Sequence, residues 1–232
     1  MKTPTTIFNI LLLLLLPACA SNPPIESRRQ QFSSAKSAVI LSSVTNDVAV
    51  EYVGFTVFNN FSRMLKSPDA KIGEDLTAYA KSALGKKVEV KAAENDPKFM
   101  RVRYLPAAYR GLKPDNSQEL IKPVLDQYLR QTPADLVLWI GSWREESIMR
   151  ITNGTPYGHR IQAPLMLVLF DGKTGAEIYG KQQTISCDSV PFDYKANDLA
   201  TELANRRQPL ETSWRKCMEQ QIDGFLQDAG LK

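Results

Sequence analysis

Ala134-Asp-Leu-Val-Leu-Trp-Ile-Gly141 is apolar at every position from 136 to 140. A strand with one wet face alternates apolar and polar residues, because successive side chains point to opposite sides. This run does not alternate, so it fits a strand covered on both faces in the middle of a sheet.

Upstream, Ala38-Val-Ile-Leu-Ser42 is a second apolar run of strand length. Tyr52-Val-Gly-Phe-Thr-Val-Phe58 is rich in β-branched and aromatic residues. Thr45-Asn46-Asp47 between them has turn composition, so the two are expected to pair as a hairpin. Ile72, Leu76, Tyr79, Ala80 and Ala83 recur at helical spacing and Gly85 is a natural stop, which predicts a helix over 73–84. Short strands are expected at 88–91 and 99–103. A second helix should start near Asn116, with Glu119 three residues on as in a capping box. Its apolar face would hold Leu120, Ile121, Val124, Leu125, Tyr128 and Leu129. Pro123 inside it should kink the helix or mark a later start.

Downstream, residues 145–151 and 163–170 read as strands. Asp171-Gly-Lys-Thr-Gly175 is a turn into 177–185 as hairpin partner. Pro209 suits the first turn of a C-terminal helix. Leu210, Trp214, Cys217, Met218, Ile222, Phe225 and Leu226 keep one face of it apolar, and Gly230 ends it. The expected fold is α/β, with α+β the other option. It would be a mixed sheet of about six or seven strands with three main helices packed on it, in a single domain over 38–232.

The N-terminus carries an address. Lys2 precedes an apolar stretch over 7–16, interrupted only by Asn9. Ten residues of helix make about 15 Å, half of a bilayer's hydrocarbon thickness, which suits a signal peptide rather than a span. The leader ends in Leu16-Pro17-Ala18-Cys19, which resembles the lipobox of bacterial lipoproteins. The resemblance implies cleavage before Cys19, so that 1–18 is a signal peptide, with diacylglyceryl and palmitate chains attached to Cys19. Several acyl chains, at about 0.8 kcal/mol per buried CH₂, give stable anchoring. By that family's sorting rule, Ala20 in place of aspartate favours the periplasmic face of the outer membrane over the inner one. The alternative is ordinary secretory cleavage with Cys19 a bystander.

Residues 19–37 are then the lipidated cysteine and a polar tether with two prolines. Eighteen flexible residues span about 23 Å on average and at most about 60 Å. Removing 1–18 takes away one lysine and no acid, so the formal charge goes from +4 to +3. That mild basicity does not by itself argue for nucleic acid, and export argues against it as a partner. Two thiols remain, Cys187 and Cys217. In an oxidising compartment an even pair points to a disulfide, with two buried free thiols as the alternative.

Lipobox, Ala134–Gly141 strand and Leu169-Phe-Asp-Gly-Lys-Thr-Gly-Ala-Glu-Ile178 hairpin together resemble periplasmic lipoproteins of envelope assembly. Curli-export, polysaccharide-export and peptidoglycan-synthase-activator lipoproteins share this layout, and the resemblance covers 130–185.

One histidine, His159, cannot build a His-rich zinc site, and neither HExxH nor paired CxxC occurs. EF-hand spacing is absent as well. No G-x-S-x-G elbow is present, although a triad of Ser142, His159 and an aspartate is not barred by spacing. Gly172-Lys173-Thr174 is no phosphate loop, since Leu167 stands where the first glycine is required. Glu145 and Glu146 are adjacent and would face opposite ways on a strand. No cofactor and no metal is implied.

Arg101, Arg103, Arg110 and Lys113 are interleaved with Tyr104 and Tyr109. Cations beside aromatic rings suit an anionic glycan, a lipid headgroup or an acidic protein surface, and equally an ordinary basic face. His159 lies in Thr152-Asn-Gly-Thr-Pro-Tyr-Gly-His-Arg160, which has loop composition. The function expected is a non-catalytic binding or assembly module of the envelope. Its partner would be an envelope protein or an anionic glycan, bound by the 101–113 segment with the 152–160 loop. The alternatives are an envelope hydrolase using His159 and a self-assembling structural lipoprotein.

Overall fold

The computed structural model describes residues 24–53, 60–67, 71–96, 117–141, 149–154 and 160–232. In chain order these form α1 (Ile25–Ser33), β1 (Ser37–Ser42), β2 (Val48–Val53), β3 (Phe61–Leu65), α2 (Ile72–Leu84) and β4 (Glu89–Asn95). There follow α3 (Ser117–Gln131), β5 (Leu136–Gly141), β6 (Met149–Gly154), β7 (Arg160–Asp171), β8 (Glu177–Cys187) and α4 (Leu199–Ala229). The α/β class holds, with eight strands and four helices among the described residues.

β5 lies between β1 and β7, in the order β3-β2-β6-β7-β5-β1-β4, with β8 on β7. Its six residues are all buried. Leu136, Leu138 and Ile140 join Ala38, Ile40, Leu165, Leu167 and Leu169 in the larger core, under α2 and α4. Val137 and Trp139 face the other way, with Val39, Leu41, Met166, Val168 and Phe170, against Ile121 and Leu125 of α3. Burying each of these side chains contributes about 1.5–3 kcal/mol, so a strand dry on both faces is held from both sides.

The long hairpin β7–β8 is the spine. β8 pairs with β7 over Ile161–Phe170. The other edge of β7 is shared, with residues 160–162 pairing with β6 and residues 166–171 with β5. β5 and β6 therefore follow one another along β7 in the same direction. β1 lies outside β5, and β2 outside β6, both parallel. The sheet thus has a lower half closed by β4 and an upper wing closed by β3. Only β3 and β7 run against the other strands.

The expected hairpin between 38–42 and 52–58 does not form. β1 and β2 run the same way, joined by the five residues 43–47, and the second strand begins earlier, at Val48. The link is pinned by side-chain amides, which replace the reversal its composition implied. Val44 N–H donates to Asn95 Oδ1 (3.1 Å), Asn95 Nδ2 donates to the Val44 carbonyl (3.0 Å), and Gly73 N–H donates to Asn46 Oδ1 (3.3 Å).

Two helices also differ from expectation. α4 starts at Leu199, because the Asp198 carboxylate accepts the N–H groups of Ala200 (2.9 Å) and Thr201 (3.3 Å) as an N-cap. Pro209 lies inside the helix. α3 starts at Ser117, beside the expected Asn116, with Pro123 inside it and not at a later start. The stretch expected to be wholly tether contains α1, whose Phe32 is 5% exposed in the core and whose Arg28 guanidinium lies 4.1 Å from the Tyr179 ring centroid. One large aromatic and a stacking cation suffice to dock an otherwise polar helix.

The 171–175 turn forms as read. Asp171 Oδ1 accepts from Lys173 N–H (2.9 Å) and Thr174 N–H (2.8 Å), and Gly175 takes φ +68°. Cys187 at the end of β8 and Cys217 on α4 are joined in a disulfide, with Cα atoms 5.5 Å apart. Among the described residues no helix is long and apolar enough to cross a membrane.

Candidate binding cleft

Antiparallel register places Tyr52 of β2 opposite Phe61 of β3. Their rings stack with centroids 5.8 Å apart and planes 20° from parallel. Side chains directly opposite on one face are close enough to interact, so the pairing itself builds this platform. The segment after β8 then folds back over it. Phe192 and Tyr194 are buried and meet edge to face at 5.2 Å, and Tyr194 tilts against Tyr52 at 6.1 Å. Lys195 N–H donates to Asp193 Oδ1 (2.9 Å), and Asp193 N–H donates to Glu202 Oε1 (3.1 Å), which ties this segment to the first turn of α4.

Tyr52, Phe61, Tyr194 and Lys195 line a cleft of about 320 Å³. Lys195 is exposed, and the Arg63 guanidinium lies 5.9 Å from the Phe61 ring centroid. Among the described residues no carboxylate lines the cleft. The acid of β2, Glu51, points to the opposite face, where it is ion-paired with Arg150 and accepts from Ser62 Oγ (3.4 Å). Burial pushes the Tyr194 hydroxyl up, so it stays a neutral phenol. A ring platform with two cations beside it can take the flat apolar face of a ligand and an anionic substituent together.

Of the residues singled out from sequence, Cys19, Arg101, Arg103, Tyr104, Tyr109, Arg110, Lys113, Ser142, Glu145, Glu146 and His159 lie outside the described residues. The 101–113 segment falls between the end of β4 and the start of α3. The 152–160 stretch is not all loop. Residues 152–154 end β6, where Asn153 pairs with Tyr52 and Gly154 with Val53 at the rim of the upper wing. Phe61, Arg63, Tyr194 and Lys195 were not singled out from sequence. Tyr52 was read as strand only, and nothing in one dimension brings it next to Tyr194, 142 positions on.

No family model matches the chain, and no curated protein matches it. Among solved structures, the chain is similar to a hypothetical protein from Chlamydia trachomatis, at 14% identity over 83% of this chain and 98% of that one (TM-score 0.41). It is also similar to PelC from Paraburkholderia phytofirmans, solved as a dodecamer, at 15% identity over 90% and 94% of the two chains (TM-score 0.37). A third is the lipoprotein GNA1162 from Neisseria meningitidis, at 12% identity over 81% and 99% (TM-score 0.33). Likenesses of this order carry no argument about what the chain does.

Proposed function

We propose that the chain is a lipid-anchored protein of the periplasmic face of the outer membrane, and that it binds a partner there without turning it over. The leader ending in Leu16-Pro17-Ala18-Cys19, followed by Ala20, supports the anchor and its membrane. The Cys187–Cys217 bridge supports an oxidising compartment, where such bonds persist.

The observation that carries the binding reading is the aromatic cleft formed by Tyr52, Phe61, Tyr194 and Lys195, in which no described residue is a carboxylate. Its volume lies at the lower end of small-ligand sites, which run from about 300 Å³ upward. It suits one or two rings of an anionic glycan, or an aromatic or acidic segment of an envelope protein. The basic, tyrosine-bearing 101–113 segment and His159 remain a second candidate for the binding residues on their chemistry alone.

The test is in-cell crosslinking of the intact lipoprotein, followed by purification from membranes and mass spectrometry. One dominant envelope partner, lost in Tyr52→Ala and Lys195→Glu chains that still fold, supports the reading. Capture undiminished in both variants places the binding elsewhere. Loss only when Arg103 and Tyr109 are changed assigns it to the 101–113 segment.

A further inference from the structure

We propose that the end of the domain opposite the cleft is a docking face for anionic phospholipid headgroups, which holds the domain upright on the membrane. This rests on the reading of Cys19 as the lipid anchor.

The first support is geometric. Only the five residues 20–24 separate Cys19 from α1, so α1 begins within about 25 Å of the lipidated sulfur, whatever path they take. α1 belongs to the body. Phe32 is in the core, Arg28 lies over Tyr179, and the Arg29 side chain packs so closely on Gly230 that a Cβ there would meet Arg29 Cγ at 2.6 Å. The long free tether expected from composition is therefore cut short. The domain cannot stand far from the bilayer.

The second support is which end is tied down. α1 leads directly into the start of β1, which lies beside the starts of β4 and β5, with Ser37 paired to Glu89 and Ala38 to Leu136. The turn that ends β7 sits there too, with Asp171 paired to Leu136. α2 and α3 end at this level, each just before its strand begins, and α4 ends against α1. The cleft is built from the upper wing, beyond the other ends of these strands.

The third support is charge. Arg29, Lys36, Lys86, Lys87, Arg130 and Lys173 are all exposed at the anchored end. Of the acids at this end, Glu26 and Glu89 are exposed, while Asp135, Asp171 and Asp223 are engaged within the fold, Asp135 lying 3.9 Å from Lys173 Nζ. Asp135 accepts from the Lys36 and Ser37 N–H groups, Asp171 accepts within its own turn, and Asp223 pairs with Lys232 at 2.5 Å. Lys36, Lys86 and Lys87 form no ion pair among the described residues. Clustered Lys and Arg beside a membrane are drawn to anionic headgroups within a Debye length, and an anchor holds them at that distance.

The test uses residues 20–232, unlipidated, which keep every described element. Partition onto phosphatidylglycerol–phosphatidylethanolamine vesicles is compared with partition onto phosphatidylcholine vesicles by cosedimentation. The expected result is binding to the anionic vesicles alone, weakened as salt rises. Lys36→Glu, Lys86→Glu and Lys87→Glu together should lower it at least tenfold. The same charge change at Lys66, Arg206 and Lys216, distant from that end, should leave most of it. Equal binding to both vesicle types, no binding to either, or equal loss in the two triple variants overturns the proposal. Fatty-acid labelling of the full chain tests the anchor separately, so absent labelling and absent vesicle binding are distinct failures.

Discussion

Ser37 and Asp135 hold each other through both main chain and side chain. Ser37 N–H and Oγ donate to Asp135 Oδ2, each at 3.1 Å, and Asp135 N–H donates to the Ser37 carbonyl (3.1 Å) and to Ser37 Oγ (3.2 Å). Lys36 N–H adds a third donor to the same carboxylate oxygen at 2.9 Å. This clasp sits where β1 and β5 start and aligns the two most deeply buried strands.

Asp135→Ala should therefore cost about 1–3 kcal/mol, since it strands donors at a partly buried strand start. The Lys36 N–H bond, followed by those of Ser37, holds the Asp135 carboxyl below its usual range against the opposing effect of burial. A depressed folded-state pKa gives stability that is full above the ordinary carboxylate pKa and is lost as pH falls through the folded value. Urea midpoints of wild type and Asp135→Asn should differ most near neutrality and converge in acid. A gap that does not change with pH would contradict this.

Opening the Cys187–Cys217 bridge should lower stability by about 3–4 kcal/mol, the range for a loop of this length. Denaturant unfolding with and without reductant measures it. The double Cys→Ser chain should match the reduced protein, and a midpoint insensitive to reductant would show that the bond contributes nothing.

Cys19→Ala should abolish incorporation of labelled fatty acid and release the protein from membranes. Unchanged labelling would sink the anchor.

Phe32→Ala should cost about 3–5 kcal/mol or, if α1 simply detaches, less than that with new proteolytic cleavage over 25–33. Limited proteolysis and mass spectrometry distinguish the two. Neither destabilisation nor cleavage would mean that α1 is not part of the body.

Tyr52→Ala should weaken ligand capture about tenfold, because one aromatic stacking partner is worth about 0.5–1.5 kcal/mol beyond the area it buries. Lys195→Glu should weaken an anionic ligand further and reverse its salt dependence. Titration calorimetry against anionic oligosaccharides reads both, provided the far-ultraviolet spectrum of each variant is unchanged.

Much of the architecture could be read from local pattern. The apolar 136–140 run specified a strand covered on both sides, and such a strand must be central. The 171–175 turn specified its hairpin because Asp171 and Gly175 satisfy it locally. Reading failed at the 43–47 link, where a side chain from far along the chain took over a local role, and at the start of α4, where a local cap outweighed the proline. Asn95 holds Val44, so the 43–47 link carries the chain onward and does not reverse it. Asp198 caps α4 eleven residues before Pro209, the position that composition favoured.

What the sequence by itself determined is the α/β class and the double coverage of β5, because periodicity and turn chemistry act over a few residues. Only the tertiary structure decided that part of the tether is a docked helix, that β1 and β2 run the same way, and that Tyr52, Phe61 and Tyr194 share a cleft. Those outcomes depend on strand order and register, set by which buried faces fit together across the whole fold, and no stretch of ten residues contains that information.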